Sequence, residues 1–127
     1  MDALTALATH SPETKEFWTS LTANKFVVRR CNACGESHWY PRAICPFCHS
    51  DDTEWREASG RGVIYTYSVM RRAKTPYAIA FVTLEEGPTM MTNLVDCDLD
   101  AIRIGQPVEV TIRPNADGVP LPLFKPV

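Results

Sequence analysis

No apolar run in the 127-residue sequence approaches the ~18 residues of a membrane-spanning helix. The first ten residues, MDALTALATH, carry an acidic residue at position 2. They have neither the apolar stretch of a secretory signal nor the basic character of a transit peptide. These absences argue against a membrane partner and predict a cytoplasmic protein.

The sequence also has no basic excess, because its 13 Lys and Arg residues are outnumbered by 15 Asp and Glu residues and its net charge is -2. Proteins that bind a polyphosphate backbone usually concentrate positive charge. The charge balance therefore disfavours nucleic acid as a partner. Its hydrophobic share of 45% and charged share of 22% are typical of a folded globular protein.

Familiar catalytic motifs are absent as well: the sequence contains no GxSxG, HExxH, Walker or GxGxxG motif. Its acidic residues are scattered, and Glu85 and Glu86 precede Gly87 and Pro88, an order that indicates a solvated hairpin turn. No nucleophile with a neighbouring base is evident. We therefore expect no catalytic residues and no catalysis by the chain alone.

Cysteine is scarce, yet four of the five cysteines form two CxxC pairs within the stretch CNACGESHWYPRAICPFC. Two such pairs supply the tetrahedral sulfur set that zinc accepts, and a reducing compartment favours metal over disulfides. We predict that Cys31, Cys34, Cys45 and Cys48 bind one Zn²⁺ per chain, with Gly35 providing a positive-φ turn. Four thiolates leave no coordination position for water, so the predicted zinc is structural.

Iron is the alternative metal, since rubredoxin-like knuckles hold it with the same four ligands. We favour zinc because the rest of the sequence shows no second redox group. His38 and His49 are predicted to be surface or packing residues. Cys97 is predicted to be a small buried hydrophobe at a strand end.

A short helix is predicted near the N-terminus, with Ser11 as its N-cap and Pro12 at its first position. Phe17, Trp18 and Leu21 give it a narrow apolar face. We expect this face to pack against the rest of the chain, and an exposed partner-binding face is the alternative.

From Gly60 onward the sequence indicates a small β-barrel. Five runs rich in β-branched and aromatic residues are separated by turn residues: GVIYTYSVMRR, YAIAFVTLEE, PTMMTNLVDCD, QPVEVTIRP and GVPLPLFKP. The connector with Leu99, Ile102 and Ile104 is typical of the plug that covers one end of an OB-type barrel. We therefore predict a mainly β protein with a tail and helix at 1–26, a zinc ribbon at 27–58 and a five-stranded OB-fold barrel at 59–127.

The order of these motifs, from the FW helix through RCNACGESHWYPRAICPFC to EWREASGRGVIYTYSV and the closing PLFKP, resembles the domain of unknown function 35 family. The resemblance covers nearly the whole chain. It implies a rubredoxin-like zinc ribbon joined to an OB-fold, in an accessory subunit of a thiolase-fold enzyme that acts on acyl-CoA. It further implies that the partner supplies the catalytic residues, while the small subunit stabilises it in a hetero-oligomer and helps to form the acyl-CoA site. The family's zinc ligands correspond to the four paired cysteines.

The loop between the first two barrel strands contains Arg71, Arg72 and Lys74. These cations are candidates for CoA phosphate binding, and a solvated hairpin tip is the alternative. Four aromatic residues nearby are candidates for an acyl or pantetheine path, although such spacing more often marks a buried or half-buried barrel face: Tyr65, Tyr67, Tyr77 and Phe81.

Two other functions remain open. Zinc ribbons and OB-folds both bind RNA or single-stranded DNA, so a nucleic-acid-binding module is one alternative. A rubredoxin-like electron carrier is the other, and it is less favoured for the reason that favours zinc.

Overall fold

A computed structural model describes Ala6 and residues 11–127. These residues form two compact units, one from the residues up to Ser59 together with 112–121, and one from 60–111 together with 122–127. The predicted N-terminal tail lies outside the described residues apart from Ala6. Within the described part of the chain, every helix is too short or too polar to cross a membrane.

The N-terminal helix, α1, spans Lys15–Thr22 and follows a 3₁₀ turn at Pro12–Thr14. Ser11 occupies the predicted N-cap position of this turn and Pro12 its first position, but the Ser11 side chain makes no capping hydrogen bond. Instead, the Ser11 carbonyl accepts two hydrogen bonds from Thr14, one from its backbone N–H at 2.9 Å and one from its hydroxyl at 2.8 Å. The helix ends before Asn24, whose φ of 60° turns the chain away.

The apolar face of α1 packs inward, as predicted. Phe17 and Leu21 are buried, and the Phe17 ring lies 5.0 Å from Trp39 and 6.2 Å from Phe26. Trp18 is half-buried, with its ring 5.2 Å from that of Phe17. Such tilted and edge-to-face aromatic contacts stabilise a small core beyond the area they bury.

A three-stranded antiparallel sheet of order β2-β1-β3 forms the ribbon. Strand β1 spans Val27–Cys31, β2 spans Ser37–His38 and β3 spans Thr53–Glu57. Cys31 ends the central strand opposite Thr53. The first CxxC pair therefore extends from the last residue of β1 into the turn before β2, and the second pair lies in the connection from β2 to β3.

The predicted five runs form five strands of a closed barrel, in the order β4-β5-β6-β8-β7. The strands are β4 (Arg61–Met70), β5 (Tyr77–Leu84), β6 (Thr89–Leu94), β7 (Pro107–Pro114) and β8 (Pro120–Pro126). In β5 and β6 alternate residues point inward and are buried. The core includes Ile64, Ala78, Ala80, Val82, Leu84, Met90, Leu94, Val108 and Phe124. The predicted mainly β fold with a helix, a zinc-ribbon region and an OB-like barrel is confirmed.

The predicted plug is only partly formed. Ile102 is buried and Leu99 is half-buried, but Ile104 is 68% exposed. The reason is a turn in which Gln106 N–H donates to the Arg103 carbonyl at 3.2 Å, which leaves Ile104 at the tip. The expectation that Ile104 covers the barrel end was wrong.

Candidate metal centre and adjoining surfaces

The two CxxC pairs bring four sulfur atoms together. All four Sγ atoms lie within 4.8 Å of one another, with Cys31 to Cys48 at 3.5 Å and Cys34 to Cys45 at 3.7 Å. A tetrahedral zinc ion with Zn–S bonds of about 2.3 Å would separate its sulfurs by about 3.8 Å. The observed spacing fits this geometry, so the four cysteines are positioned to bind one metal ion.

Each CxxC pair is held in a turn of the same shape. Gly35 N–H donates to the Cys31 carbonyl at 2.9 Å, and His49 N–H donates to the Cys45 carbonyl at 2.9 Å. Both residues have positive φ, 79° for Gly35 and 65° for His49. The left-handed turn predicted at Gly35 is therefore repeated by a histidine that the sequence pattern did not single out.

Hydrogen bonds at the cluster act on the thiols unequally. Burial raises the pKa of Cys45, but backbone N–H groups of Cys48 and Phe47 favour its thiolate and set that pKa at about 7. Cys48 receives a similar backbone hydrogen bond from Ser50, yet its neighbouring thiols, led by Cys31, raise its pKa to about 12. Four thiolates in such proximity repel one another, and a bound dication relieves that repulsion.

The two histidines nearby stay outside the sulfur set. His38 is buried, and its Nε2 accepts the backbone N–H of Arg42 at 3.2 Å. Burial lowers the pKa of His38, so the ring is neutral at pH 7. His49 is exposed. Both are packing or surface residues, as predicted.

Cys97 is not at a strand end, because β6 stops at Leu94 and Cys97 lies in the bend beyond it. There Asp96 reverses the chain with a φ of 52°. The thiol is half-buried. Burial is the main cause that raises its pKa, and the negative charges of Asp96 and Asp98 raise it further. A thiol with a raised pKa is a poor nucleophile.

The basic loop, residues 71–76, leaves the end of β4. Arg71 Nη1 lies 2.8 Å from Asp100 Oδ1 in an exposed ion pair. Arg72 and Lys74 are exposed, and neither has an ion-pair partner within the described part of the chain. The structure thus separates Arg71, which is engaged, from two cations that point to solvent.

The four aromatic candidates are exposed, so the expectation of a buried or half-buried barrel face was wrong. Phe81 pairs with Thr66 and Met91, and all three point away from the core. A β-bulge at Tyr65 turns that side chain outward as well. The sequence carried a signal of this surface: β4 beyond Arg61, β5 and β6 contain no charged residue, although a solvated sheet face normally has polar and charged side chains.

Two family models match this chain. One, described as the rubredoxin-like zinc ribbon domain of ChsH2, covers residues 18–54, and the other, the C-terminal OB-fold domain of ChsH2, covers residues 55–113. Together they account for well over half of the chain.

Curated relatives include proteins named as subunits and scaffolds. The chain is 40% identical to a DUF35 domain-containing scaffold protein of Methanocaldococcus jannaschii, over 66% of this chain and 64% of that protein. It is 31% identical to the benzoylsuccinyl-CoA thiolase subunit BbsA of Thauera aromatica, over 76% of this chain and 71% of that protein. It is 35% identical to a probable enoyl-CoA hydratase alpha subunit of Thermomonospora curvata, over 87% of this chain but only 36% of that protein.

Solved structures agree with the fold. A chain of the Ltp2-ChsH2(DUF35) aldolase superposes with a TM-score of 0.78 at 33% identity, covering 90% of this chain and 94% of that one. A DUF35 protein from Sulfolobus solfataricus superposes with a TM-score of 0.67 at 16% identity, covering 91% and 86%.

Proposed function

The chain belongs to the DUF35 family of proteins with ChsH2-type zinc-ribbon and OB-fold domains, and we propose that it is a non-catalytic accessory subunit of a thiolase-fold enzyme acting on acyl-CoA. In this role it stabilises the catalytic partner and helps to form the acyl-CoA site. We place the complex in the cytoplasm, where the four paired thiols stay reduced.

The similarity to BbsA carries this proposal, because it extends over most of both chains and BbsA is named as a thiolase subunit. The match to the hydratase alpha subunit covers only about a third of that longer protein, so hydratase activity is not part of the proposal. The name of the archaeal relative, a scaffold protein, agrees with a role in assembly.

We assign Cys31, Cys34, Cys45 and Cys48 as the ligands of one structural zinc ion. A site closed by four thiolates has no open position at which a substrate or water could bind. The bound zinc therefore stabilises the ribbon, and the partner subunit supplies the chemistry.

The test of this function is co-purification from the native cell with a tag on this chain. We expect a thiolase-fold protein, identified by mass spectrometry, in a fixed ratio to the chain. The purified complex should turn over an acyl-CoA thioester and the isolated chain should not. Turnover by the isolated chain, or recovery without a thiolase-fold protein, would contradict the proposal.

Within that complex, we propose that the basic loop contacts the phosphates of CoA through Arg72 and Lys74, with Arg71 held nearby by Asp100. Charge-assisted contacts to phosphate contribute about 1.5–3 kcal/mol each when shielded and much less when exposed. Replacing all three cations by alanine should therefore raise the apparent KM for a full CoA substrate at least about tenfold.

The kinetics of a substrate truncated to its pantetheine arm should hardly change in the triple variant, because this arm has no nucleotide phosphates. Lys25→Ala, which removes an exposed cation in the other unit, is the matched control. Equal losses on both substrates would indicate impaired assembly, and no loss on either would leave the loop as a solvated hairpin tip. A salt titration with a generic oligonucleotide tests the nucleic-acid alternative, which predicts binding that weakens steeply with salt.

A further inference from the structure

The outward side of the sheet formed by β4, β5 and β6, called here the outer face, has no charged residue. The strand registers define its members across the three strands. They are Val63, Thr83 and Thr89, then Tyr65, Thr66, Phe81 and Met91, then Ser68, Ile79 and Asn93, and finally Met70 and Tyr77. Depletion of charge with enrichment in aromatic residues and methionine is the composition of a protein interface core.

The apolar surface on this face is large for so small a chain. Tyr65 is 65% exposed, Met91 61%, Tyr77 44%, Phe81 42% and Val63 42%. With 150–250 Å² for a fully exposed aromatic side chain, the fractions of the three aromatic residues alone correspond to about 300 Å², and Met91 and Val63 enlarge the patch further. That reaches the size of the largest patch on a typical monomer, and it would supply more than a third of the ~800 Å² that each partner buries in a standard interface.

We propose that the outer face is the surface by which this chain docks on its thiolase-fold partner, an inference that rests on the proposed function. The composition of the face sets the chemistry of the partner's surface. A charge placed against Phe81 or Met91 would lose its hydration without gaining a counter-charge, so the opposing surface must be uncharged and apolar. Beyond the face, Glu85 is exposed in the β5–β6 turn, which favours a basic residue on the partner's rim at that end.

The outer face is continuous with the basic loop. Met70 and Tyr77, the last outward pair of β4 and β5, directly flank that loop. Docking by this face therefore carries Arg72 and Lys74 to the subunit boundary, where an acyl-CoA site shared between two subunits has to lie. The face itself has no cation to follow a phosphate backbone, which disfavours a nucleic acid as its occupant.

Two lysine substitutions test the proposal at side chains exposed enough to leave the fold intact, Tyr65→Lys and Met91→Lys. Each should raise the Kd for the co-purified thiolase-fold subunit at least about tenfold, equivalent to about 1.4 kcal/mol. The conservative variant Met91→Leu should bind normally. Phe47→Lys replaces an aromatic side chain that is 63% exposed in the other unit, and it should also bind normally. Circular dichroism and zinc content confirm that each variant is folded.

A second readout follows Met91 directly. Its oxidation by hydroxyl radicals should be several-fold slower in the wild-type complex than in the isolated chain, because docking buries the thioether. Full reactivity of Met91 in an intact complex would overturn the docking proposal and leave the proposed function standing.

The remaining outcomes separate the two proposals. If the wild-type chain recovers a thiolase-fold subunit and the lysine variants recover it equally well, the face is not the docking surface and the function stands. If the wild type recovers none, both proposals fail. A dimer of the isolated chain that Met91→Lys dissociates would assign the face to a second copy, and binding of a U20 oligonucleotide that Tyr65→Ala abolishes would assign it to RNA. Either result overturns the docking proposal.

Discussion

The ribbon region, residues 27–57, and the barrel differ in what fills their interiors. The ribbon strands span only five, two and five residues. Its buried side chains include Val28, two cysteines and the polar His38. The barrel instead surrounds a continuous apolar core. A region with little apolar surface to bury needs another source of stability, and four converging thiols provide a metal site at that point.

The difference has consequences for substitution. In the ribbon region the stabilising interactions converge on one ion, so the loss of one ligand affects all of them. In the barrel they are spread over many side chains, so the loss of one leaves a cavity of limited cost. The following predictions test this contrast, from the largest expected effect to the smallest.

The largest effect is expected for Cys31→Ser, because structural zinc contributes about 10–16 kcal/mol of binding that is also folding free energy. The variant should lose its zinc equivalent, measured by atomic emission. Its amide NMR signals for residues 27–57 should lose their dispersion. Cys97→Ser is the matched control, since Cys97 lies outside the sulfur cluster, and it should keep both zinc and stability. A full zinc equivalent in Cys31→Ser would contradict the four-thiolate assignment.

A smaller effect is expected in the barrel core. Phe124 is fully buried, and Phe124→Ala should lower the free energy of unfolding by about 3–5 kcal/mol through lost transfer energy and a cavity. Denaturant unfolding measures this loss, and the zinc content should stay at one per chain. The exposed Ile104→Ala should change the unfolding free energy by less than about 0.5 kcal/mol. Zinc loss in Phe124→Ala would show that the two regions are not stabilised separately.

The parts of this molecule that the sequence predicts best are those with one dominant constraint. Two CxxC pairs leave few arrangements other than a four-sulfur cluster, and Gly35 marks the turn beside it. Five runs of β-forming residues with turn signals between them similarly predict a barrel. Each of these patterns can be recognised locally in the sequence, although the barrel itself closes through distant pairs such as Arg61 with Glu109.

Two of the wrong predictions concern which way a side chain points. Ile104 and Phe81 are apolar, and apolarity alone predicts burial. The local turn that closes at Gln106 exposes Ile104, and the strand register of β5 exposes Phe81. The register depends on pairing between separate strands, which apolarity does not reveal. The positive φ of His49 was missed because histidine, although enriched in this conformation among non-glycine residues, adopts it far less often than glycine does.

An intermediate effect on stability is expected from the protonation of His38, because burial lowers the pKa of this residue. Above the unfolded pKa of about 6.5, both states are neutral and this residue adds no pH dependence. As pH falls below about 6.5, the unfolded state binds a proton first, so stability falls by at most about 1.4 kcal/mol per pH unit until the folded pKa is reached. Chemical denaturation at a series of pH values should show this decline in the wild type.

The control for that decline is His38→Gln, in which this component should disappear. Acid also protonates the zinc thiolates, so the comparison is limited to pH values at which both proteins retain a full zinc equivalent. Identical pH profiles for the two proteins in that range would show that His38 is not buried as a neutral ring.

The smallest effect compares the two knuckles with each other. Gly35 and His49 occupy equivalent positions with similar positive φ, but a side chain in this conformation costs about 1–2 kcal/mol. Gly35→Ala should therefore lower the free energy of unfolding by about 1 kcal/mol, since its added Cβ meets only the Arg30 side chain, at 3.7 Å, and the penalty is conformational. His49→Gly should relieve strain, and the greater freedom of glycine in the unfolded chain offsets part of this gain, leaving a net change of about 0 to +1 kcal/mol. Denaturant titration of the zinc-loaded proteins measures both changes. A His49→Gly variant that is clearly less stable than the wild type would show that the histidine side chain makes a stabilising contact that outweighs its backbone strain.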